Sequence, residues 1–326
     1  MLRVKTLIQV AVALACLQTM AVAQTQAITG VPANFNRIAT FEAHRNVPAG
    51  RTVSKKSVAE IVAASEDGRL LAYTDSEQKG IGLIDISKPA SPKPAGFVAL
   101  EGEPTSVVIT HGKALVAVDA SKKFFQPEGH LAVIDLRSLK VVGSCNLQGQ
   151  PDSVALDKSG HNIVIAMENQ RDEEFEKGTI PQLPAGNLSI MKLHAGRPDC
   201  TSLHPLAMTG LAAIAPTDPE PEFVKVNAAG LAVVTLQENN HIAIVDVAKR
   251  QVVKHFSAGT VDLKGIDRKR DGIINPADSA AGVLREPDSV AWLDNRRFVI
   301  ANEGDYKGGS RSFSIMNVDG QIEFDS

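Results

Sequence analysis

A three-part unit recurs five times along this chain and constrains its fold more than any other feature. Each copy has an apolar run after a Gly-x-Pro or Glu-Pro turn, a second apolar run ending in acidic or amide residues, and a third ending in Ile-Asp or Val-Asp. Gln150–Ala155 and Glu286–Ala291 are two copies of the first run. Equivalent residues lie about 50 to 70 positions apart, a period typical of propeller blades that carry inserted loops.

Within each unit, four short segments rich in Val, Ile, Leu and Ala are separated by Gly, Pro, Asn and Asp. Helical periodicity is absent over any long window. Four-stranded antiparallel units repeated around an axis form a β-propeller. We therefore predict an all-β fold, a β-propeller of about five four-stranded antiparallel blades. A β-sandwich is the alternative, but it predicts no such register between distant segments.

A further strand-like run, Phe35–Phe41, precedes the first full unit and lacks evident partner strands. Propellers often close by completing one blade with strands from both ends of the chain. This run suggests that the blades form an incomplete ring and that the domain is truncated at its C-terminus. A complete five-bladed ring is the alternative.

The first residues have the pattern of a secretory signal. Arg3 and Lys5 precede the apolar run Leu7–Leu17, and Ala21-Val22-Ala23 forms a small-x-small cleavage site. The run is too short to span a bilayer. We predict a signal peptide over residues 1–23, a single propeller domain over residues 24–326, and a periplasmic or secreted protein. A lipoprotein signal at Cys16 is the weaker alternative.

Composition limits the partners. A net charge of −3 offers no basic stripe for phosphate groups, so nucleic acid is not expected as a partner. We expect a monomer without a membrane span. After signal removal two cysteines remain, Cys145 and Cys200, on neighbouring units. They either form a disulfide between blades or stay as two separate buried thiols.

The loops that enter the first strand and leave the second strand of a meander lie on the same face. In this chain both sets of loops carry acids and amides, which are the oxygen ligands that calcium prefers, with magnesium as the alternative. Asp and Asn in tight turns also bind local backbone amides, which is the structural alternative. The predicted metal ligands at this mouth are Asp152, Glu168, Asn169, Glu222, Glu238, Asn239, Asp288, Asn302 and Glu303.

A second candidate cation site lies in the long insertion before the last unit. Asp267 and Asp271 begin a stretch with part of the EF-hand spacing. Lys269 stands where the third ligand should be, and no helices flank the stretch. A polar loop is therefore the competing interpretation.

Sequence motifs of common hydrolases are absent, including Gly-x-Ser-x-Gly and His-Glu-x-x-His. Any catalysis would have to be assisted by a metal ion. In that case a carboxylate such as Glu168 or Glu303 would activate water, and these two are the predicted catalytic residues.

Several stretches resemble exported bacterial proteins of the "esterase-like activity of phytase" group, which are related to choice-of-anchor propellers and are sometimes labelled alkaline phosphatases. The resemblance rests on Glu168–Glu173, Ile180–Leu188, Pro216–Phe223, Val234–Asn240 and Ala301–Tyr306. The repeats also resemble the YVTN type. The resemblance implies an extracytoplasmic propeller that hydrolyses small phosphate esters. The rival hypothesis is a non-catalytic propeller that binds a protein or surface polymer through its acidic face.

Overall fold

The computed structural model describes residues 37–172, 174–304 and 306–326, except for the side chain of Glu176. The predicted signal peptide, residues 1–23, lies outside the described residues. Every strand belongs to one compact unit, Ala39–Ser326. The helices of the described part are three short 3₁₀ turns, Ala43–Asn46, Phe175–Lys177 and Cys200–Ser202. None of the described helices has the length and apolar character needed to cross a membrane.

Five antiparallel sheets follow one another along the chain, and we call them blades 1 to 5. Blade 1 contains β1 (Ala59–Ala64), β2 (Leu70–Asp75), β3 (Gly80–Asp85) and β4 (Lys93–Ala99); blade 2 contains β5 (Glu103–Thr110), β6 (Lys113–Asp119), β7 (Gly129–Asp135) and β8 (Lys140–Asn146). Blade 3 contains β9 (Pro151–Leu156), β10 (Asn162–Met167), β11 (Asn187–His194), the short β12 (Arg197–Pro198) and β13 (His204–Ala207).

Blade 4 contains β14 (Pro221–Val226), β15 (Leu231–Leu236), β16 (His241–Asp246) and β17 (Gln251–Ser257). A separate hairpin, β18 (Thr260–Ile266) and β19 (Asp278–Leu284), precedes blade 5, which contains β20 (Pro287–Trp292), β21 (Arg297–Asn302), β22 (Phe313–Asn317) and β23 (Ile322–Asp325). The predicted propeller of four-stranded antiparallel blades is confirmed. The predicted strand Phe35–Phe41 is wrong in its described part, because residues 37–41 pair with no strand.

The middle strands of blades 2 to 4 are buried on both faces along most of their length, which explains why their sequences are continuous apolar runs. In β15, residues 232–236 are all buried, and in β16 residues 241–245 are all buried. Tight turns join the strands, as at Asp67-Gly68, where the glycine has a φ of +68° that other residues rarely adopt. The first strands of successive blades contact one another, β1 with β5, β5 with β9, β9 with β14 and β14 with β20. These strands therefore line the centre of the molecule.

Four hydrophobic cores hold the blades together, and each lies between two consecutive blades. We call the face that a blade turns to the next blade its front face. On blade 4 this face presents Val233, Ile242 and Ile244, all buried against Phe298 and Ile300 of blade 5. Face-to-face packing of this kind excludes water from both sheets.

The front face of blade 5 has the same apolar register. In blade 5, Val299 pairs with Ile315, just as Val233 pairs with Ile244 in blade 4. Likewise Ala301 pairs with Phe313, just as Thr235 pairs with Ile242. Phe313 is nevertheless 45% exposed, whereas Ile242 is fully buried. Among the described residues no hydrophobic core joins blade 5 to blade 1.

A disulfide links blade 2 to blade 3. Cys145 lies on β8 and Cys200 opens the 3₁₀ turn before β13, and their Cα atoms are 5.3 Å apart. The sequence left a disulfide and two free thiols open, and the structure forms the disulfide. It closes a long loop, which disfavours the unfolded chain.

Equivalent positions on blades 4 and 5 should respond differently to truncation. We expect Ile242→Ala to lower the free energy of unfolding by about 2 to 5 kcal/mol, because it leaves a cavity in a buried core. Phe313→Ala should cost about 1 kcal/mol or less, because its ring is half exposed. Urea denaturation of the two variants measures both values. Equal losses would contradict the assignment of Phe313 to an uncovered face.

Candidate functional site

Carboxylates from all five blades line one central cavity of about 320 Å³, which we call the acidic mouth. Its acidic residues are Glu60, Glu103, Asp152, Glu222, Asp288 and Glu303. Ile61, Pro104 and Phe223 supply apolar wall between them. No Lys, Arg or His is among the described residues that line this cavity. The mouth is therefore strongly electronegative.

The repeat explains why these acids meet. Strand pairing gives Ala59, Pro151, Pro221 and Pro287 equivalent positions at the start of β1, β9, β14 and β20. The next residue in each strand is an acid, namely Glu60, Asp152, Glu222 and Asp288. Four copies of the same position on neighbouring inner strands must face the same mouth.

The sequence analysis predicted four of the six acids, and the structure brings Asp152, Glu222, Asp288 and Glu303 together. It missed Glu60 as a site residue, because alanine rather than proline precedes it and the turn signal is weak. The strand register was the signal that could have found it. Glu103, the first residue of β5, was missed as well and completes the set.

Burial and mutual repulsion make the mouth hard to ionise. Burial first, and the charges of Asp288 and Glu60 next, raise the pKa of Asp152 to about 8. Burial and the neighbouring Glu168, Asp152 and Asp288 raise the pKa of Glu222 well above its usual value. Burial also raises the pKa of Asp288. Near neutral pH the mouth must therefore retain protons or attract a cation.

The two predicted catalytic residues do not lie in the same place. Glu303 lines the mouth and its Oε2 accepts a hydrogen bond of 2.8 Å from Gln237 Nε2. Glu168, just after β10, is outside the cavity lining, and its Oε2 lies 3.4 Å from Gln150 Nε2. Burial and the charge of Asp152 raise the pKa of Glu168 well above the usual glutamate value. Glu168 is thus coupled to the mouth through the charge of Asp152, whereas Glu303 lines the mouth directly.

Two predicted ligands, Asn169 and Asn239, have clear structural roles. Asn169 Oδ1 accepts the backbone N–H of Gln150 at 2.8 Å, and Asn239 Oδ1 accepts that of Glu220 at 2.9 Å. The Nδ2 group of each donates to loop carbonyl oxygens. Asn302 Nδ2 donates to Ser312 and Ser314. The local-turn interpretation thus describes these amides well, and their roles as ligands stay predictions.

An arginine that the sequence analysis missed ties three blades together beside the mouth. Arg171 Nη2 is 2.5 Å from Glu220 Oε2 and also forms an ion pair with Glu238. The backbone N–H of Arg171 donates to Glu220 Oε1 at 2.6 Å, and its guanidinium stacks 4.7 Å from the centre of the Tyr306 ring on the β21–β22 loop. Glu238, predicted as a metal ligand, is thus engaged by a buried cation.

The second candidate cation site lies on the β18–β19 hairpin, and neither of its residues lines the mouth. Asp267 accepts backbone N–H groups from Lys269 and Asn275, at 3.0 and 2.9 Å. Asp271 accepts that of Ile273 at 3.0 Å. These backbone hydrogen bonds lower the pKa of Asp267. Calcium binding by Asp267 and Asp271 stays a prediction, and the observed bonds are those of a polar loop.

In the described part of the chain, no three acidic, histidine or cysteine side chains are close enough together to hold a metal ion. The carboxylates of the mouth are distributed around its wall instead. A bound cation would require some of these side chains to turn toward it.

Removing the buried guanidinium should be costly. Arg171→Met leaves Glu220 and Asp218, both almost fully buried, without their cation. We expect the free energy of unfolding to fall by about 3 to 5 kcal/mol. The matched control is Arg297→Met, whose exposed pair with Asp294 should contribute about 1 kcal/mol or less. Chemical denaturation compares the two, and similar losses would contradict the role of Arg171.

The fold resembles that of distant proteins of known structure. A chain from the crystal structure of a nidogen/laminin complex matches with a TM-score of 0.50 and 10% identity, over 82% of this chain and 80% of that chain. A protein of unknown function from Bacteroides caccae matches with a TM-score of 0.49 and 12% identity, over 83% and 82%. The first likeness shows the fold alone.

No curated protein matches the sequence. The family model of the choice-of-anchor I domain matches residues 60–308. This range includes blades 2 to 4, all but the first residue of blade 1, the two inner strands of blade 5 and all six acids of the mouth. This agrees with the expected relation to choice-of-anchor propellers, whereas the phytase-like label stays a prediction. The chain belongs to the choice-of-anchor I domain family.

Proposed function

We propose that this protein is an exported β-propeller that binds a cation, with Ca²⁺ as the first candidate, at its acidic mouth. The observation that carries the proposal is the set of six carboxylates on one cavity whose described lining contains no basic residue. A cation would relieve the repulsion that raises the pKa of Asp152 and Glu222. Binding would therefore release protons and stabilise the fold.

The donor atoms suit calcium or magnesium and not zinc, because the mouth offers carboxylate oxygen and no His or Cys among its described residues. Asp152, Glu222 and Asp288 are the first ligands to consider, since they occupy the same register on consecutive inner strands. Calcium tolerates irregular oxygen geometry better than magnesium does. It therefore fits carboxylates that must turn inward to reach it.

Export is supported by three features. The family is one of exported or cell-surface proteins, and the sequence begins with the pattern of a signal peptide. The Cys145–Cys200 disulfide suits an oxidising compartment. We propose the periplasm or the extracellular space as the place where the protein acts.

Phosphoester hydrolysis is the second candidate, favoured by the size of the cavity. A volume of about 320 Å³ exceeds what one ion fills and is in the range of small-ligand sites. A bound cation would supply the positive charge that a phosphate ester needs in this acidic surrounding. Glu303, on the wall of the mouth, would then accept a proton from water, and Glu168 would act on the mouth through its coupling to Asp152.

The alternative function, binding without catalysis, would depend on the same carboxylates of the acidic mouth. A protein or surface polymer that presents basic groups would be attracted to the acidic mouth without any chemistry. Its binding would compete with calcium, because both would need the same carboxylates.

The pH dependence of stability tests the cation proposal. Asp152 titrates near its ordinary value of 3.8 when unfolded and near 8 when folded, so the folded protein binds more protons between these values. Stability is therefore greatest at the acidic end and is lost as the pH rises through this window. In a chelator we expect the melting temperature to fall by at least about 2 °C between about pH 5 and about pH 8.

Added Ca²⁺ should restore most of that loss at the higher pH and have little effect at the lower one. The double variant Asp152→Asn, Glu222→Gln should show a flatter pH profile and no response to Ca²⁺. Asp267→Asn on the exposed hairpin is the matched control and should behave like the parent protein. A calcium response that survives in the double variant and disappears in the control would move the site to the hairpin.

Hydrolysis is tested separately with p-nitrophenyl phosphate and phytate. The phosphoesterase candidate predicts release of phosphate only when Ca²⁺ or Mg²⁺ is present, and its loss in Glu303→Gln. Glu323→Gln, on β23 and away from the mouth, is the control. Absence of turnover from a folded, calcium-responsive protein would contradict hydrolysis and leave the binding function.

A further inference from the structure

The packing between blades leaves one joint without apolar support. Hydrophobic cores join each blade to the next from blade 1 to blade 5, and among the described residues no core joins blade 5 to blade 1. At that joint, Phe313 on the front face of blade 5 is 45% exposed, and Val62 on the opposite, back face of blade 1 is 59% exposed. The disulfide and the contacts of Arg171 lie within blades 2 to 5. The series of blades is therefore open between blade 5 and blade 1.

The segment before β1 covers part of the back face of blade 1. Asn46 Nδ2 donates to Tyr73 Oη at 3.1 Å, and Tyr73 pairs with Val62 of β1. The guanidinium of Arg51 lies 5.3 Å from the centre of the Phe97 ring on β4. This covering keeps the face of another sheet from packing directly on the back face. Blades 1 and 5 can therefore approach each other only at their inner strands.

The inner strands of these two blades already share the acidic mouth. Glu60 and Ile61 of blade 1 line the same cavity as Asp288 and Glu303 of blade 5. Burial, followed by the charges of Asp288 and Glu60, raises the pKa of Asp152, so the charges of both blades act on one central carboxylate. Like charges on blades 1 and 5 oppose the approach of the two blades.

A cation in the mouth would act on this joint more than on the other four. Calcium takes about six to eight oxygen ligands. No three acidic, histidine or cysteine side chains in the described part of the chain are close enough to hold a metal ion. The ion must therefore draw carboxylates inward from different blades. Four joints resist this movement because close-packed cores hold them, and the joint between blades 5 and 1 has no such core.

We propose that the cation closes the open series of blades by linking Glu60 of blade 1 to Asp288 of blade 5. This inference rests on the cation-binding function proposed above and adds a conformational change to it. Without the cation, repulsion between carboxylates keeps the two blades apart. With the cation, β1 and β20 approach each other, and the joint between blades 5 and 1 becomes narrower.

Pulsed electron paramagnetic resonance on spin-labelled cysteine variants measures this change. Lys79→Cys on the β2–β3 loop and Arg311→Cys on the β21–β22 loop place labels on exposed positions of blades 1 and 5. Ca²⁺ should shorten the distance between these labels by about 2 Å or more. Lys79→Cys with Lys122→Cys, on the exposed β6–β7 loop, is the matched control pair. It spans blades 1 and 2, which share a core, and should not respond.

Variants of the two linking acids test the mechanism of closure. At saturating Ca²⁺, Glu60→Gln and Asp288→Asn should each abolish the shortening between blades 1 and 5. Glu66→Gln, an exposed acid on the β1–β2 turn and outside the lining of the mouth, is the control and should retain the shortening. Shortening that persists in Glu60→Gln would overturn the proposed link.

Calorimetric titration of the same samples with Ca²⁺ separates closure from binding. Ca²⁺ binding without shortening overturns the closure and leaves the cation-binding function in place, whereas absence of binding overturns both. Equal shortening in the control pair would overturn the closure. Shortening that depends on protein concentration would also overturn it, because a second copy would then occupy the joint. Binding with shortening confined to blades 1 and 5 supports the proposal.

Discussion

Face-to-face packing of the blades is the constraint on which the rest of this structure depends. Each core between blades requires two sheets to present apolar side chains in the same register, as Val233 and Ile244 do against Phe298. The repeat that satisfies this requirement also fixes the direction of every inner strand. The side chain of the second residue of an inner strand must therefore point to the same face in each of these blades. Acids at that position are forced together at one mouth.

This convergence has an electrostatic cost that the fold must support. Burying Asp152 and Glu222 near each other disfavours their ionised forms, and nothing basic in the described lining offsets them. The stabilising interactions lie further out, in the cores between blades, the Cys145–Cys200 disulfide and the Arg171 ion pairs. Binding sites often combine an unfavourable arrangement of charges at the site with stabilising interactions in the structure around it.

The sequence predicted the fold because the propeller signal is periodic and local. It also predicted Asp152, Glu222 and Asp288, whose Pro-Asp or Pro-Glu context marks the start of an inner strand. Glu60 was missed because no proline marks its position. Arg171 was missed because its partner Glu220 is 49 residues away and belongs to another blade. The sequence around a charged residue on a long loop does not indicate which residue will form an ion pair with it.

For the amide side chains, the sequence predicted the positions but not the roles. Asn169 and Asn239 occur at the predicted positions, but the sequence could not distinguish a ligand from a loop-holding residue. Their bonds to the backbone N–H groups of Gln150 and Glu220 depend on the distance between two loops. Only the assembled blade sets that distance.

The central claim is that a cation replaces protons at the acidic mouth, and isothermal titration calorimetry with Ca²⁺ tests it most directly. Titrations near neutral pH in buffers of different ionisation enthalpy report the number of protons released on binding. The account predicts binding with proton release, and loss of both in Asp152→Asn, Glu222→Gln. Binding without proton release, unchanged binding in the variant, or no binding to the folded protein would contradict it.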